Sequence, residues 1–482
     1  MVIEFMKQIV ISFNHMVLYY VLAINSIYFM QLIVSAFSLY DYIRKMYYSD
    51  FKKYTASSNM IPISVLVPAY DEEETIVDNI KSLLSLNYPA FEVIVINDGS
   101  NDDTLRKIVE AYDLKEINQP VRHLLKTKKI KGIYANLDIP NLVLVDKENG
   151  GKADALNVGI NVSKYPVFTS IDADSILESD SLVRVIMPFI EDNLTVAVGG
   201  IVRIINGSEI KNGKVEAIGL PKSKLAMFQI VEYLRAFLTG RLAWSKLRCL
   251  LIVSGAFGAF KKDVVVQAGG YTPDTIGEDM ELVVKIHKMM RKNKVKYKVN
   301  FIPDPVCWTQ APENIKDLRG QRRRWQIGLM DSLFRHKDLL LNPRYGVVGM
   351  YGVPYFWIFE MLGPIIETLG YIIIPLSYIF GLLNTRYFVL FLITSILYGI
   401  ILSLGAILLE EYTFSKYPSM KQLLRLSLYG ILENFGYRQM TTLFRIDAII
   451  RFKKFRGDWG KIKREGFSNH KEEKVSMIQK NL

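Results

Sequence analysis

Residues 167–174 read Val-Phe-Thr-Ser-Ile-Asp-Ala-Asp, an apolar, β-branched run that ends in two aspartates separated by an alanine. Similar short runs occur at 63–67, 93–97 and 142–145. Between the first two runs, apolar residues recur at helical spacing, as at Ile76, Ile80 and Leu83. This alternation of runs and amphipathic helices predicts an α/β domain with a mostly parallel sheet, from residue 61 to about residue 334.

Polar residues follow each run, at the point where the predicted strand ends. They are Ala69-Tyr70-Asp71-Glu72, Asp98-Gly99-Ser100, Asp146 and Asp172-Ala173-Asp174. Asp and Gly are ordinary turn formers, so one such end would indicate only a turn. Four of them predict a shared crevice, because ligands of open α/β sheets bind beyond the carboxyl ends of the strands.

Asp172 and Asp174 can share one side of an extended backbone and hold Mg²⁺ or Mn²⁺ together with diphosphate oxygens. Such a metal stabilises a leaving diphosphate. By itself the pair would indicate a solvated turn. The five histidines are scattered, and Cys249 and Cys307 lack metal-ligand spacing, so the sequence does not indicate zinc.

Two predicted helix starts carry further polar groups. Residues 149–157 place a glycine pair before Lys152, and a helix start with free N–H groups and a lysine suits an anionic ligand, without the Walker A spacing of an ATPase. Gly277-Glu278-Asp279 opens another helix, where a carboxylate could accept the proton of an attacking hydroxyl. The alternative is that these acids only stabilise the helix N-terminus.

A predicted helix over residues 315–334 contains Gln-Arg-Arg-Arg-Trp at 321–325. Gln321, Arg324 and Trp325 stand at positions i, i+3 and i+4 and therefore share one face. Arg324 could pair with a diphosphate, and the indole of Trp325 offers a flat surface for a sugar ring. The alternative is a basic amphipathic helix in a membrane interface.

Three apolar segments are long enough to cross a bilayer: 16–37, 355–383 and 387–409. We expect a retained anchor rather than a signal peptide, followed later in the chain by a hairpin that turns at 384–385. Residues 423–440 include charged side chains and are expected to lie in the interface. Glu360 and Glu367 predict a polar pathway between the helices, with local pairing as the alternative for Glu360.

The formal net charge is +12, and basic residues crowd next to the apolar segments. Juxtamembrane Lys and Arg are typical of the cytoplasmic side, so we expect a lipid bilayer as the partner of these charges and no nucleic acid. The predicted location is the cell (plasma) membrane, with a cytoplasmic α/β domain.

In their order, Asp-x-Asp at 172–174, Glu278-Asp279 and Gln-x-x-Arg-Trp at 321–325 resemble the motifs of the processive family 2 membrane β-glycosyltransferases. This family includes cellulose and other β-glucan synthases, hyaluronan synthases and poly-N-acetylglucosamine synthases. The resemblance implies an α/β GT-A domain, Rossmann-like and inserted between transmembrane helices. It also implies a UDP-sugar donor, Mg²⁺ or Mn²⁺, inversion to a β-linkage and a membrane channel for the product.

The resemblance also assigns roles to residues. The donor nucleotide is expected at Ala69, Tyr70, Glu72, Asp98, Lys152, Asp172 and Arg324, and the metal at Asp172 and Asp174. Asp279 is expected to be the base, with Glu278 beside it. The acceptor sugar is expected at Trp325, Gln321, Ser254 and Gly255. Trp459, Gly460 and Lys461 resemble a mobile gating loop, and a solvated basic tail is the alternative.

The chain also departs from the family pattern. Asn97-Asp98-Gly99 replaces Asp-Asp-Gly, and the stretch at 253–257 lacks the proline of hyaluronan synthases, which disfavours hyaluronan. We lean to processive synthesis of a β-glucan from UDP-glucose. The alternatives are a poly-N-acetylglucosamine-type synthase, a non-processive transferase acting on a lipid carrier, and a non-enzymatic scaffold.

The expected organisation has four regions. They are an anchor at 1–45, a cytosolic GT-A domain with interface helices at 46–334, a transmembrane hairpin and interface helix forming the channel at 335–450, and a basic tail with the gating-loop candidate at 451–482. The expected partners are the UDP-sugar, the nascent polysaccharide, the bilayer and accessory envelope or secretion proteins.

Overall fold

The computed structural model describes residues 2–48, 60–211, 214–417 and 419–455. Its strands are β1 (Ile63–Ala69), β2 (Phe91–Asn97), β3 (Lys115–Glu116), β4 (Ile130–Ala135), β5 (Leu142–Lys147), β6 (Val167–Ile171), β7 (Ile176–Leu177), β8 (Thr195–Ile204), β9 (Glu209–Lys211), β10 (Lys214–Ala217), β11 (Phe257–Lys261) and β12 (Lys298–Thr309). All but β9 and β10 form one ten-stranded sheet. The gating-loop candidate, Trp459, Gly460 and Lys461, lies outside the described residues.

The four predicted runs form the centre of this sheet. They are β5, β2, β1 and β6, which lie side by side in that order with parallel pairing throughout. Their side chains are almost entirely buried, as expected for parallel strands that are covered on both faces. β11 then pairs antiparallel with β6 and β8, so the sheet is mixed. The predicted α/β fold class is confirmed.

The helices cover the sheet and extend away from it. They are α1 (Val2–Tyr48), α2 (Ile76–Leu84), α3 (Thr104–Ala111), α4 (Lys152–Val162), α5 (Ser181–Glu191), α6 (Lys224–Tyr233), α7 (Arg241–Lys246), α8 (Lys262–Gln267), α9 (Glu278–Lys292), α10 (Ile315–Arg335), α11 (Val353–Tyr355), α12 (Gly363–Ile379), α13 (Thr385–Phe414), α14 (Met420–Leu432), α15 (Tyr437–Ile450) and α16 (Phe452–Phe455). Leu234–Gly240, between α6 and α7, is a π-helix.

Three helical stretches in the described part of the chain are long and apolar enough to span a membrane: Lys7–Lys45, Val348–Ile379 and Phe388–Phe414. They contain or overlap the three predicted segments. The hairpin turn is also confirmed, because α12 ends at Ile379 and the side chain of Asn384 caps the start of α13.

Residues 423–440 differ from the single interface helix that we predicted. They belong to two helices, α14 and α15, which are separated at Gly436, where φ is +110°. Near the break, the buried carboxylate of Glu433 accepts hydrogen bonds from Ser403 (2.5 Å) and Arg438. Glu433 and Arg438, two of the charged residues that suggested the interface, are therefore part of an ion cluster against α13, whereas Arg425 is exposed.

The sheet and the membrane helices are joined by a buried ion pair. Arg203 in β8 donates to both carboxylate oxygens of Glu410 in α13, with an Nη1–Oε1 distance of 2.7 Å, and both side chains are almost fully buried. Breaking a buried pair from one side leaves an uncompensated charge, which makes such contacts costly to lose. The ion pair holds the sheet close to the C-terminal end of α13.

Candidate active site

One cavity of about 3070 Å³ runs from the carboxyl ends of the central strands to the membrane helices. Tyr70, Asp98, Asp172 and Asp174, which follow β1, β2 and β6, line it. The prediction was wrong for the fourth strand end. Asp146 is not a lining residue, because its carboxylate instead accepts a hydrogen bond from Asn97 at 2.7 Å.

The first strand end forms one wall of the cavity with Ala69, Tyr70 and Glu72. The Tyr70 ring is exposed, and its hydroxyl accepts a hydrogen bond from Asn101 at 2.9 Å. The backbone N–H of Glu72 donates to Thr104 at 2.9 Å. These contacts fix the loop after β1 while the aromatic ring of Tyr70 stays accessible, as a surface for a planar base requires.

Asp98 organises the loop that precedes α4. Its buried carboxylate accepts the N–H groups of Gly150 (3.0 Å) and Gly151 (2.7 Å) and is paired with Lys147. We interpreted this helix start as one with free N–H groups for an anionic ligand, and for these two glycines that is wrong. Asp98 shapes the loop next to the cavity and also lines the cavity itself, so its expected contact with the donor nucleotide stays a prediction.

Lys152, the first residue of α4, points its ammonium at two acids. Its Nζ atom is 2.5 Å from Asp172 Oδ1 and 3.4 Å from Glu278 Oε1. Burial alone would lower the pKa of Lys152, but the carboxylates of Asp172 and Glu278 outweigh it and hold the pKa above the ordinary range. A permanently charged lysine therefore lies beside the aspartate pair, as an anionic ligand would need.

Glu278 and Asp279 begin α9 at the cavity, and their environments differ. Glu278 is buried, which raises its pKa to about 7; Lys152 opposes this rise and Asp279 adds to it. Asp279 is half-buried, and its Oδ2 accepts the N–H of Gly255 at 3.1 Å. Its Oδ1 accepts the N–H of Met280 at 2.8 Å. Asp279 is thus oriented by backbone donors while it faces the cavity.

The predicted helix of residues 315–334 is α10, and its predicted face is the one that meets the cavity. Gln321, Arg324 and Trp325 all line the cavity, and the Trp325 side chain is exposed there. The start of α9 lies against this helix, because Gly277 and Gly328 approach so closely that a Cβ on Gly277 would come 2.7 Å from the Cα of Gly328. The two glycines bring Asp279 and Trp325 to one site.

Ser254 and Gly255 complete the junction between these elements, and both line the cavity. A Cβ on Gly255 would come 3.1 Å from the Nζ of Lys152 and 3.6 Å from the Cβ of Asp279. The structure therefore brings the predicted donor, catalytic and acceptor residues within the described part of the chain to one cavity. What each of them binds stays a prediction.

Two family models match the chain: "Glycosyl transferase family 2" over residues 64–244 and "Glycosyl transferase family group 2" over residues 167–408. The chain is also 31% identical over 334 residues to a poly-beta-1,6-N-acetyl-D-glucosamine synthase of Staphylococcus aureus, covering 67% of this chain and 70% of that protein. The chain belongs to glycosyltransferase family 2. It is therefore an enzyme, and the scaffold alternative is not supported.

Two further comparisons are consistent with this family. The poly-beta-1,6-N-acetyl-D-glucosamine synthase of Staphylococcus epidermidis is 32% identical over 273 residues, covering 57% of this chain and 56% of that protein. A mannosyltransferase from Pyrobaculum calidifontis, solved with GDP-Man and Mn²⁺, superposes with a TM-score of 0.51 at 17% identity, covering 89% of this chain and 98% of that structure. At that identity the likeness shows the GT-A fold alone.

The part of the cavity nearest the membrane helices of this glycosyltransferase contains acidic side chains among apolar ones. Glu360 and Glu367 both line it. Glu360 contacts Arg445 (Oε2–Nη2, 3.2 Å), and Glu367 accepts a hydrogen bond from Thr442 at 2.9 Å. The alternative of local pairing is therefore confirmed for Glu360, which also lines the cavity, and the polar pathway stays a prediction.

Sequence reasoning missed the segment just before Ser254. Tyr233, Phe237 and Arg241 line the cavity beside Trp325, whose ring centroid is 6.2 Å from those of Tyr233 and Phe237. Tyr233, Phe237 and Arg241 stand at positions i, i+4 and i+8, a spacing that places side chains on one helical face. That spacing, with two arginines and three aromatic residues over 233–244, was the available signal.

Arg322, next to these residues, also has a role that the sequence did not indicate. It is buried, its Nη2 is 2.6 Å from Glu232 Oε2, and its guanidinium carbon lies 4.3 Å from the centroid of the Trp325 ring. Arg322 therefore packs against the Trp325 ring and holds it in place, and both Arg322 and Arg324 line the cavity.

Asp172 and Asp174 are the residues that could hold a metal. No group of three or more Asp, Glu, His or Cys side chains is arranged for a metal within the described residues. Two carboxylates at the cavity nevertheless fit Mg²⁺ or Mn²⁺, which in phosphate-transfer sites is often held by one or two carboxylates plus substrate phosphates. Such a site would be complete only with a diphosphate bound.

Proposed function

We propose that the chain makes a β-linked poly-N-acetylglucosamine from UDP-N-acetylglucosamine and passes the polymer into the membrane. The observation that carries this proposal is the single cavity that joins the candidate transfer site to the membrane helices. The staphylococcal relatives favour the donor, because each is a poly-beta-1,6-N-acetyl-D-glucosamine synthase. The comparisons therefore support a poly-N-acetylglucosamine-type synthase, which the sequence left as an alternative, better than the β-glucan synthase that we favoured from the sequence.

In the proposed reaction, an acceptor hydroxyl attacks the anomeric carbon of the donor sugar from the face opposite to UDP. Asp279 accepts the hydroxyl proton, the new glycosidic bond forms with inversion, and the bond to the diphosphate breaks. Lys152 and Arg324 contribute positive charge where the leaving UDP gains negative charge. When bound at Asp172 and Asp174, Mg²⁺ or Mn²⁺ supplies further neutralisation of the diphosphate.

We further propose that the sheet domain lies in the cytoplasm, where UDP-sugars are made, and that the product leaves along Glu360 and Glu367. Glu360 pairs with the cation of Arg445 and Glu367 accepts a hydrogen bond from the neutral hydroxyl of Thr442, so both carboxylates can accept hydrogen bonds at this wall of the cavity. Sugar hydroxyls could exchange for these partners as the polymer advances.

A panel of radiolabelled UDP-sugars, offered to purified protein in detergent, tests the function. We expect polymer from UDP-N-acetylglucosamine, with sizes resolved on a gel and linkage established by chemical analysis. Polymer from UDP-glucose instead would overturn the donor assignment. Transfer of one sugar to an added lipid phosphate, without polymer, would support the carrier-loading alternative.

Processivity should depend on Trp325. Replacing Trp325 with alanine removes a stacking surface for the terminal sugar of the nascent chain, an effect worth roughly 1–3 kcal/mol, or about tenfold to hundredfold in affinity. We expect steeply reduced polymer yield and length, measured on gels, with UDP binding near normal in calorimetry.

Phe334→Ala is the matched control for Trp325. Phe334 is an exposed aromatic residue of the same helix, but it packs against Trp357 and Phe452 and does not line the cavity. Unchanged polymer yield and length in Trp325→Ala would show that the tryptophan only anchors α10. Equal losses in both variants would point to helix packing instead of sugar binding.

A further inference from the structure

Arg241 is a half-buried cation with no ion-pair partner among the described residues. It is the first residue of α7 and lines the cavity, its Nη1 atom is buried without a hydrogen-bond partner, and it forms no ion pair with any described residue. A buried polar atom that lacks a partner costs free energy, and the cost is larger when the group is charged. An arrangement of this kind calls for a ligand that completes it.

The neighbours of Arg241 place it on the acceptor side of the proposed reaction. Its guanidinium carbon lies 4.0 Å from the centroid of the Phe237 ring, and Phe237 faces Trp325 at 6.2 Å. Asp279, the proposed base, lines the same cavity, and its negative charge acts on Arg241. Arg241 thus lies next to the aromatic wall that would hold the acceptor's ring, in the cavity that contains the group that would take the acceptor's proton.

The electrostatics agree with this geometry. Burial lowers the pKa of Arg241 to about 10, and the negative charge of Asp279 only partly opposes this shift. The guanidinium is still protonated near neutral pH. Burial has therefore removed water from around this cation, and within the described part of the chain no contact with a carboxylate has taken the place of that water.

The chemistry of a guanidinium restricts the ligand. Arginine only donates hydrogen bonds, so the ligand must present an accepting oxygen. The diphosphate already has Lys152 and Arg324 on the donor side of the cavity. An acyl carbonyl oxygen accepts and does not donate, whereas a free amino sugar is cationic near neutral pH and would be repelled.

We propose that Arg241 binds the N-acyl carbonyl oxygen of the acceptor's terminal sugar and so selects acetylated acceptors over deacetylated ones. This inference rests on the proposed function and adds the acceptor group that the enzyme recognises. Phe237 belongs to the π-helix that precedes Arg241, and its ring packs against the guanidinium and so helps to orient it.

The test uses the full-length protein in detergent, with UDP-N-acetylglucosamine as donor. The acceptors are β-linked N-acetylglucosamine oligomers and the same oligomers after de-N-acetylation. For Arg241→Gln we expect the KM of the acetylated acceptor to rise roughly tenfold to hundredfold, because a charge-assisted hydrogen bond is lost. The donor KM should stay near its wild-type value, and the discrimination against the deacetylated acceptor should shrink.

Arg241→Lys keeps the charge and should recover part of the discrimination between the two acceptors. If Arg241→Gln does not fold, the same KM measurements are made on Arg241→Lys. Arg291→Gln is the matched control, since Arg291 also stacks on an aromatic ring, that of Tyr297 at 5.6 Å, but lies outside the cavity. Equal losses with both acceptors, or a raised donor KM, would overturn the inference. A wild-type enzyme that polymerised only UDP-glucose would overturn the proposed function, before any variant is compared.

Discussion

Replacing Asp279 with asparagine is expected to reduce sugar transfer by roughly 100-fold to 10,000-fold, the usual contribution of a positioned general base. The amide cannot accept the hydroxyl proton, but it is nearly isosteric and its oxygen can still accept the N–H of Gly255, which Asp279 accepts at 3.1 Å. Binding of UDP-N-acetylglucosamine should therefore stay near normal. Calorimetry for binding and release of UDP for turnover measure the two effects separately.

The matched control is Asp263→Asn. Asp263 is in the first turn of α8, and its Oδ1 accepts the N–H of the next residue at 2.8 Å, as the Oδ1 of Asp279 does. Asp263 does not line the cavity, so this variant should keep full activity. If the affinity for the UDP-sugar fell sharply in Asp279→Asn, Asp279 would instead be a donor-site residue.

The sequence predicted the centre of the sheet well because each strand is locally specified. Buried parallel strands are nearly continuous apolar runs, so their bounds can be read from composition, as at Val167–Ile171. The face of α10 was also predictable, because a regular helix places Gln321, Arg324 and Trp325 together whatever surrounds it.

What the sequence could not predict depends on contacts between distant segments. Asp98 occupies the N–H groups of Gly150 and Gly151, about fifty residues further along, and no local pattern shows that pairing. Arg241 lines the same cavity as Asp279 and Trp325, which belong to two other helices, and no local pattern shows that proximity. Glu433 suggested an exposed interface helix because its partners, Ser403 and Arg438, come from two other helices.

Removal of divalent cations with EDTA is expected to abolish sugar transfer, and added Mg²⁺ or Mn²⁺ should restore it. Asp174→Asn should have a similar effect, a loss on the order of 100-fold or more, because the metal contributes several kcal/mol to stabilising a leaving diphosphate. Substitution of Asp172 would also break its 2.5 Å contact with Lys152, so a loss of activity there could not be assigned to the metal alone.

The readout that separates metal binding from general damage is the affinity for UDP, titrated with and without Mn²⁺. In the wild type we expect Mn²⁺ to strengthen UDP binding, because the diphosphate oxygens of UDP would add to the two carboxylates as ligands of the metal. In Asp174→Asn that increment should disappear while metal-free binding persists. Asp138→Asn, at an exposed turn outside the cavity, should keep the increment. Full activity in EDTA, or an unchanged Mn²⁺ increment in Asp174→Asn, would show that Lys152 and Arg324 alone neutralise the diphosphate.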